Sequence, residues 1–172
     1  QSSWMRRARS CGVPGVGFKT AMKVLDRGRL HISALACGMA HRLLTDAVAY
    51  AKDRKQFGRP IGEFQLIQGM LADSQAELYA GLSMVRDCAQ RYDAKEPGKS
   101  DPEVSMLASC VKMFCTEMVG RVADRAVQIH GGAGYIAEYK AERFYRDVRL
   151  LRLYEGTTQI QQMIIAKQLL RD

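Results

Sequence analysis

The side chains best suited to chemistry in this chain fall in three short stretches. In Leu150-Leu151-Arg152-Leu153-Tyr154-Glu155-Gly156-Thr157-Thr158 an apolar approach delivers one carboxylate, Glu155, to a Gly-Thr-Thr turn. A carboxylate among apolar neighbours is the kind of group that can act as a general base. The plainer alternative is an acid that favours the positive end of a helix dipole and faces water. In Arg54-Lys55-Gln56-Phe57-Gly58-Arg59-Pro60 cations and an aromatic meet at the end of a helical pattern. That suits a phosphate clamp, with Arg54 as fork and Phe57 as stacking wall. It also suits a charged helix C-terminus capped by Gly58 and stopped by Pro60. In Gln128-Ile129-His130-Gly131-Gly132-Ala133-Gly134-Tyr135 the glycines let backbone approach a ligand or another chain, or simply end a helix. The spacing is not GxGxxG after a strand, so a Rossmann reading fails.

Other chemistries are excluded by pattern. The three histidines, His31, His41 and His130, never follow a Glu by three residues, and no HExxH or paired Cys/His spacing occurs. A metal site is therefore not expected. Five cysteines, an odd number without any CxxC, argue against a zinc site or disulfide scaffold and for a reducing compartment. The net charge of +8 points to anionic partners such as nucleic acid, an anionic membrane or phosphate-bearing small molecules. Only Arg6, Arg7 and Arg9 form a local basic cluster, and no nucleic-acid recognition motif is present. No apolar run is long enough to span a membrane.

The elements that must position these stretches are helical. Residues 1–16 lack periodicity and read as an irregular leader, foreign to the domain or disordered, with 17–172 as the domain. Phe18, Ala21, Met22 and Leu25 form a first short face, interrupted at Asp26-Arg27-Gly28-Arg29. Ile32, Leu35, Ala36, Met39, Leu43, Ala47 and Tyr50 then step by threes and fours. A second helix carries Leu66, Ile67, Met70, Leu71, Leu78, Leu82 and Val85, and fades into Glu96-Pro97-Gly98. A third starts at Pro102, a good first-turn residue, and ends at the His130 glycines. A shorter helical stretch, 141–147, leads to the Glu155 turn and a last helix with Thr157 or Thr158 as N-cap. Nothing alternates convincingly at period two. The expected fold is all-α, an antiparallel four-helix bundle.

Four signals occur in one order: Leu25-Asp26-Arg27-Gly28-Arg29, Arg54-Lys55-Gln56-Phe57-Gly58, Gln128-Ile129-His130-Gly131-Gly132, and Leu153-Tyr154-Glu155-Gly156-Thr157. Together they resemble the C-terminal helical domain of the acyl-CoA dehydrogenases, from about Gly17 to Asp172. The resemblance implies that Glu155 is the base that removes the α-proton of an acyl-CoA thioester while the β-hydrogen leaves to FAD. Its own amide would share in binding the thioester carbonyl. Gly156 and the segment Asp26, Arg27, Gly28 and Arg29 would line the acyl-CoA site. Arg54, Gln56 and Phe57 would reach the FAD of a neighbouring subunit, with Gln65, Gln128, Ile129, His130, Gly131 and Gly132 adding contacts across the same interface. Thr157, Thr158 and Gln159 would meet the FAD of their own subunit. Members of the family that place the base on the earlier helix would need it near Gly28, which cannot serve, so Glu155 is favoured. The resemblance further implies a homodimer or homotetramer, an electron-transferring flavoprotein as acceptor, and a bacterial cytoplasmic or mitochondrial-matrix address. The family's N-terminal helical and middle β-domains have no counterpart here, so the chain alone is expected to be inactive. The competing expectation is a helical oligomerisation module without chemistry.

Overall fold

The computed structural model describes residues 17–96 and 101–171, without the side chains of residues 18–20, 22 and 23. The expected leader and the Pro97-Gly98 turn lie outside the described residues. Five helices follow one another: α1 (Gly17–Asp53), α2 (Gln65–Ala94), α3 (Pro102–His130), α4 (Lys140–Leu151) and α5 (Thr158–Leu169). Between α1 and α2 lies a hairpin of two short strands, β1 (Lys55–Gln56) and β2 (Arg59–Pro60), with Gln56 opposite Arg59. Each strand is only two residues long, so no alternation could announce it in the sequence. Its turn residues, Phe57 (φ 54°) and Gly58 (φ 82°), both have positive φ, as a tight two-residue hairpin turn demands.

Side-chain partners fix the helix directions. Ser105, near the start of α3, donates to Asp26, near the start of α1, at 2.9 Å. At the other end His130 stacks on Tyr50 with ring centroids 4.3 Å apart. The two helices therefore run parallel. Helix α2 runs against them: Glu77 in its first half pairs with Arg121 and Arg125 in the second half of α3, at 3.0 and 3.3 Å. Its last turns bring Arg91 to Glu103 at 3.5 Å. Helix α3 is the axis and packs on all four others. It is capped as its sequence suggests: Asp101 accepts from the N–H groups of Glu103 and Val104 at 2.9 and 3.3 Å, and Pro102 occupies the first turn.

The core is a column of small and medium side chains, among them Ala36, Cys37, Ala40, Leu43 and Ala47 of α1, Leu78 of α2, and Ala108, Cys115, Met118 and Val122 of α3. Each large member, such as Leu43 or Met118, contributes roughly 1.5–3 kcal/mol through burial. Two expectations shift. Helix α1 is unbroken through Asp26–Arg29, because those residues form a largely buried i,i+3 ion pair of 2.8 Å and tertiary packing supports Gly28. The inward stripe of α1 also lies one position away from Leu35, which is half exposed, and centres on Ala36 and Cys37. The buried Cys37 and Cys115 sulfurs stand 3.8 Å apart as free thiols.

Candidate active site

The fourth column of the bundle is a helix broken in the middle. Helix α4 leaves the His130 end, and Arg152 just beyond it meets Glu117 at 3.3 Å. One turn further along α3, the Lys112 ammonium donates to the Gly156 carbonyl at 2.7 Å. Helix α5 then carries Ile164 and Gln168 down to Pro102, Ser105 and Met106 at the beginning of α3. The interruption thus falls at the level of Lys112, where Glu155 (φ 56°) and Gly156 (φ 89°) both take left-handed backbone. Glycine does so freely, but for Glu155 the conformation costs on the order of 1–3 kcal/mol.

Several groups hold this conformation. Lys112 and Gln161 are both fully buried. Gln161 donates from one amide nitrogen to the Glu155 and Gly156 carbonyls, each at 3.0 Å. Thr157 caps α5 by accepting from the Ile160 N–H at 3.4 Å, and Thr158 donates to Glu117 at 2.8 Å. Gln159 is exposed beside them. Among the described residues the Glu155 and Gly156 N–H groups donate to no carbonyl, so both remain available to a ligand.

The Glu155 carboxylate is partly exposed and lies flat on α1 at Gly28. A β-carbon on residue 28 would stand 2.5 Å from Glu155 Oε2, so only glycine leaves room for the acid in this position. Around it Asp26 accepts from both Arg29 and Ser105, and Arg29 is buried with its Nε free of any protein partner. Arg27 points to solvent. Burial holds the Lys112 ammonium below its usual pKa, with Arg29 adding repulsion and Glu117 and Glu155 opposing both. Burial, with the charge of Glu155, pushes the neighbouring Tyr154 phenol up. One carboxylate over an open backbone, with two free N–H groups behind it, can accept a proton from carbon and bind the oxygen of the anion that results.

The remaining expected residues gather at the opposite end. Gly28 and Arg54 are 26 positions apart on α1 and just beyond it, or about 39 Å at ~1.5 Å per residue. There an open groove of about 1180 Å³ is lined by Arg54, Gln56, Phe57, Gln65, Ile129, His130, Gly131 and Gly132, over a floor that includes Ile61, Phe64 and Ile67. Arg54 is exposed and forms no ion pair among the described residues. The Phe57 ring is 92% exposed, held out by the hairpin turn. Helix α2 begins at the groove without a side-chain cap, so its positive end faces the same space. His130 Nδ1 lies 2.7 Å from the Ala126 carbonyl, which fixes its ring against Tyr50. A free guanidinium, an exposed ring, two glycines and an uncapped helix end suit a ligand with phosphates and flat rings. Of the residues expected here, Gln128 alone is exposed outside the lining; its carbonyl caps α3.

Sequence reasoning missed Lys112, Gln161, Glu117 and Arg152. Lys112 could have been found, since it interrupts the apolar inward stripe of α3 between Ala108, Val111 and Cys115. Among the described residues no group of three or more His, Cys, Asp or Glu side chains comes together. No helix among them is long and apolar enough to cross a membrane.

The family description "Acyl-CoA dehydrogenase, C-terminal domain" matches residues 15–170. The chain belongs to this acyl-CoA dehydrogenase family and represents its C-terminal domain. Among curated relatives it is 48% identical over 155 residues to a 3-(aryl)acrylate reductase of Clostridium sporogenes, covering 90% of this chain and 40% of that protein. It is 44% identical over 155 residues to subunit CarC of the caffeyl-CoA reductase-Etf complex of Acetobacterium woodii, covering 90% and 39%. It resembles an acyl-CoA dehydrogenase complexed with FAD from Bacillus anthracis at a TM-score of 0.84 and 35% identity, covering 91% of this chain and 29% of that one. The chain spans about 40% of the length of the two curated relatives.

Proposed function

We propose that this chain is the base-bearing domain of an FAD-dependent enzyme that dehydrogenates an acyl-CoA thioester between Cα and Cβ. The observation that carries this reading is the Glu155 carboxylate, held by a broken helix on the bare backbone of Gly28. Glu155 takes the α-proton, and the electron pair of that bond becomes the new Cα=Cβ bond. The thioester oxygen, negative as the proton leaves, is met by the free N–H of Glu155. Bound FAD supplies the acceptor for the β-hydrogen and its two electrons. Asp26, Arg29 and Gly156 border the acyl-CoA site. Thr157, Thr158 and Gln159 meet the flavin of the same subunit.

Arg54, Gln56, Phe57, Gln65 and the His130 glycines hold FAD at the far groove, with Gln128 contributing from its rim. At about 39 Å along α1, longer than one FAD can bridge, that groove serves the flavin of a second copy. A homodimer or homotetramer is the assembly this requires. The acceptor for the electrons is an electron-transferring flavoprotein, consistent with a relative named as a subunit of an Etf complex. The free cysteines among the described residues fit a reducing bacterial cytoplasm or mitochondrial matrix.

A second reading is favoured by the names of the two curated relatives, both reductases. Microscopic reversibility lets the same Glu155 return a proton to Cα while the reduced flavin delivers to Cβ. Supplying the complete enzyme with acyl-CoA and an oxidised acceptor, or with enoyl-CoA and a reduced donor, separates the two by rate. In either direction Glu155→Gln should abolish turnover with the flavin retained. A Glu155→Gln enzyme that bleaches its flavin with acyl-CoA at the wild-type rate refutes the assignment and leaves the oligomerisation reading.

A further inference from the structure

We propose that Lys112 and Gln161 are positioning residues for the Glu155 base, forming a clamp on the Glu155 and Gly156 carbonyls that fixes the left-handed turn carrying the carboxylate. The inference rests on the base assignment above. A lysine in the middle of a helix stripe facing the core is unfavourable, because a buried ammonium loses its hydration. Lys112 is fully buried, and the described partner of its nitrogen is the Gly156 carbonyl at 2.7 Å. Gln161 is equally buried, and its amide nitrogen reaches both carbonyls at 3.0 Å while its oxygen is left without a partner. An apolar residue at either position would pack without these penalties. Both polar groups instead converge on the carbonyls of the two residues of this turn whose φ is positive.

The reason is local. In a continuous helix each carbonyl accepts from the N–H four residues on. The break between α4 and α5 removes that option inside the bundle, and donors from α3 and α5 replace it. Fixing both carbonyls fixes the two peptide planes. It thereby holds the backbone on both sides of Gly156, limits rotation at the Glu155 Cα from which the side chain departs, and keeps the Gly156 N–H turned away from the clamp. Gly28 then receives the carboxylate at the place where no other residue would admit it. The stored conformation of Glu155 is held by groups that touch neither substrate nor flavin.

The test uses the complete flavoprotein with Lys112→Met, Gln161→Met and Glu155→Gln variants. Three quantities are read: the rate of anaerobic flavin bleaching by acyl-CoA, with and without α-deuteration; substrate affinity; and, in substrate-free protein, hydrogen exchange of the bonded amides that bracket the turn, Leu153, Tyr154, Ile160 and Gln161. A base displaced by about 1 Å loses about 10²-fold in rate. Lys112→Met is expected to bleach about 10²-fold more slowly, with a fully expressed α-deuterium effect, nearly unchanged affinity and faster exchange confined to those amides. Gln161→Met should follow in the same direction. Wild-type bleaching per bound flavin with only a lower melting temperature would overturn the clamp and leave both residues structural. Should Lys112→Met fail to fold, Gln161→Met decides by the same criteria. An active Glu155→Gln enzyme defeats the base assignment itself. An inactive Glu155→Gln beside unaffected clamp variants defeats only this inference.

Discussion

Replacing Gly28 with alanine separates stability from chemistry in a way the structure makes quantitative. Residue 28 lies inside α1, where alanine is favoured over glycine by roughly 0.5–1 kcal/mol. The added β-carbon would stand 2.5 Å from Glu155 Oε2 and 2.9 Å from its Cδ, against ordinary contact from 3.4 Å, so the carboxylate must retreat by about 0.9 Å. That retreat is available to a flexible side chain at an off-rotamer cost of roughly 0.5–1.5 kcal/mol. The stability terms nearly cancel, and the melting temperature should stay within a few degrees. The rate should not. A base misplaced by ~1 Å costs about 10²-fold, or about 2.7 kcal/mol of transition-state stabilisation. The assay is anaerobic flavin bleaching by acyl-CoA in the complete enzyme, with calorimetry on the same preparation. A Gly28→Ala enzyme with full bleaching rate would show that the carboxylate does not work from its place over Gly28. One that fails to fold would show that the helix there depends on glycine for more than room.

Three further outcomes are expected. Arg54→Gln removes the free guanidinium of the groove and should weaken FAD retention in the assembled protein by about 10–100-fold, read as flavin per subunit after dilution, because hydrogen bonds to charged groups contribute about 1.5–3 kcal/mol. Burial opposes the charge of the Glu77 carboxyl, but Arg125 and Arg121 outweigh it and hold the group below its ordinary 4.5. Its stabilising contribution is therefore present above that value and lost as pH falls through the depressed one. The melting-temperature gap between wild type and Glu77→Gln, open at neutral pH, should close in acid, below the ordinary carboxylate range. Gly134→Ala would set a β-carbon 2.6 Å from the Val127 carbonyl and 2.9 Å from His130 Cβ, contacts a rigid helix end cannot relieve. It should destabilise by about 1–3 kcal/mol, visible as a lower melting temperature with flavin loss at the His130 groove.

Much of this was readable from residue order. The apolar periods of α2 and α3, Pro102 at a helix start, glycines after His130, and Thr157 before the last helix are local signals, and each acts within a few residues through backbone geometry. The chain's own sequence also places Glu155 at a turn, Arg54 and Phe57 at a helix end, and all the motifs in the order that resembles a known family. The unbroken course of α1 through Gly28 was not readable, because glycine lowers local helix preference and only the bundle restores it. Nor were Lys112 and Gln161, which are 49 positions apart and meet on the Gly156 carbonyl only because α5 lies against α3.

The sequence by itself determined that the chain is helical, where α3 starts and stops, and which single carboxylate sits at the turn before the last helix. Tertiary structure decided that Glu155 lies on Gly28, 127 positions away, and that the break is held open by a buried lysine and glutamine. It also decided that the Arg54 groove stands at the other end of the molecule from the base. The physical reason is range: periodicity, capping and turn chemistry act over one or two turns of chain, whereas the reach of a carboxylate, the hydration lost by an ammonium and the length of α1 are properties of the packed bundle.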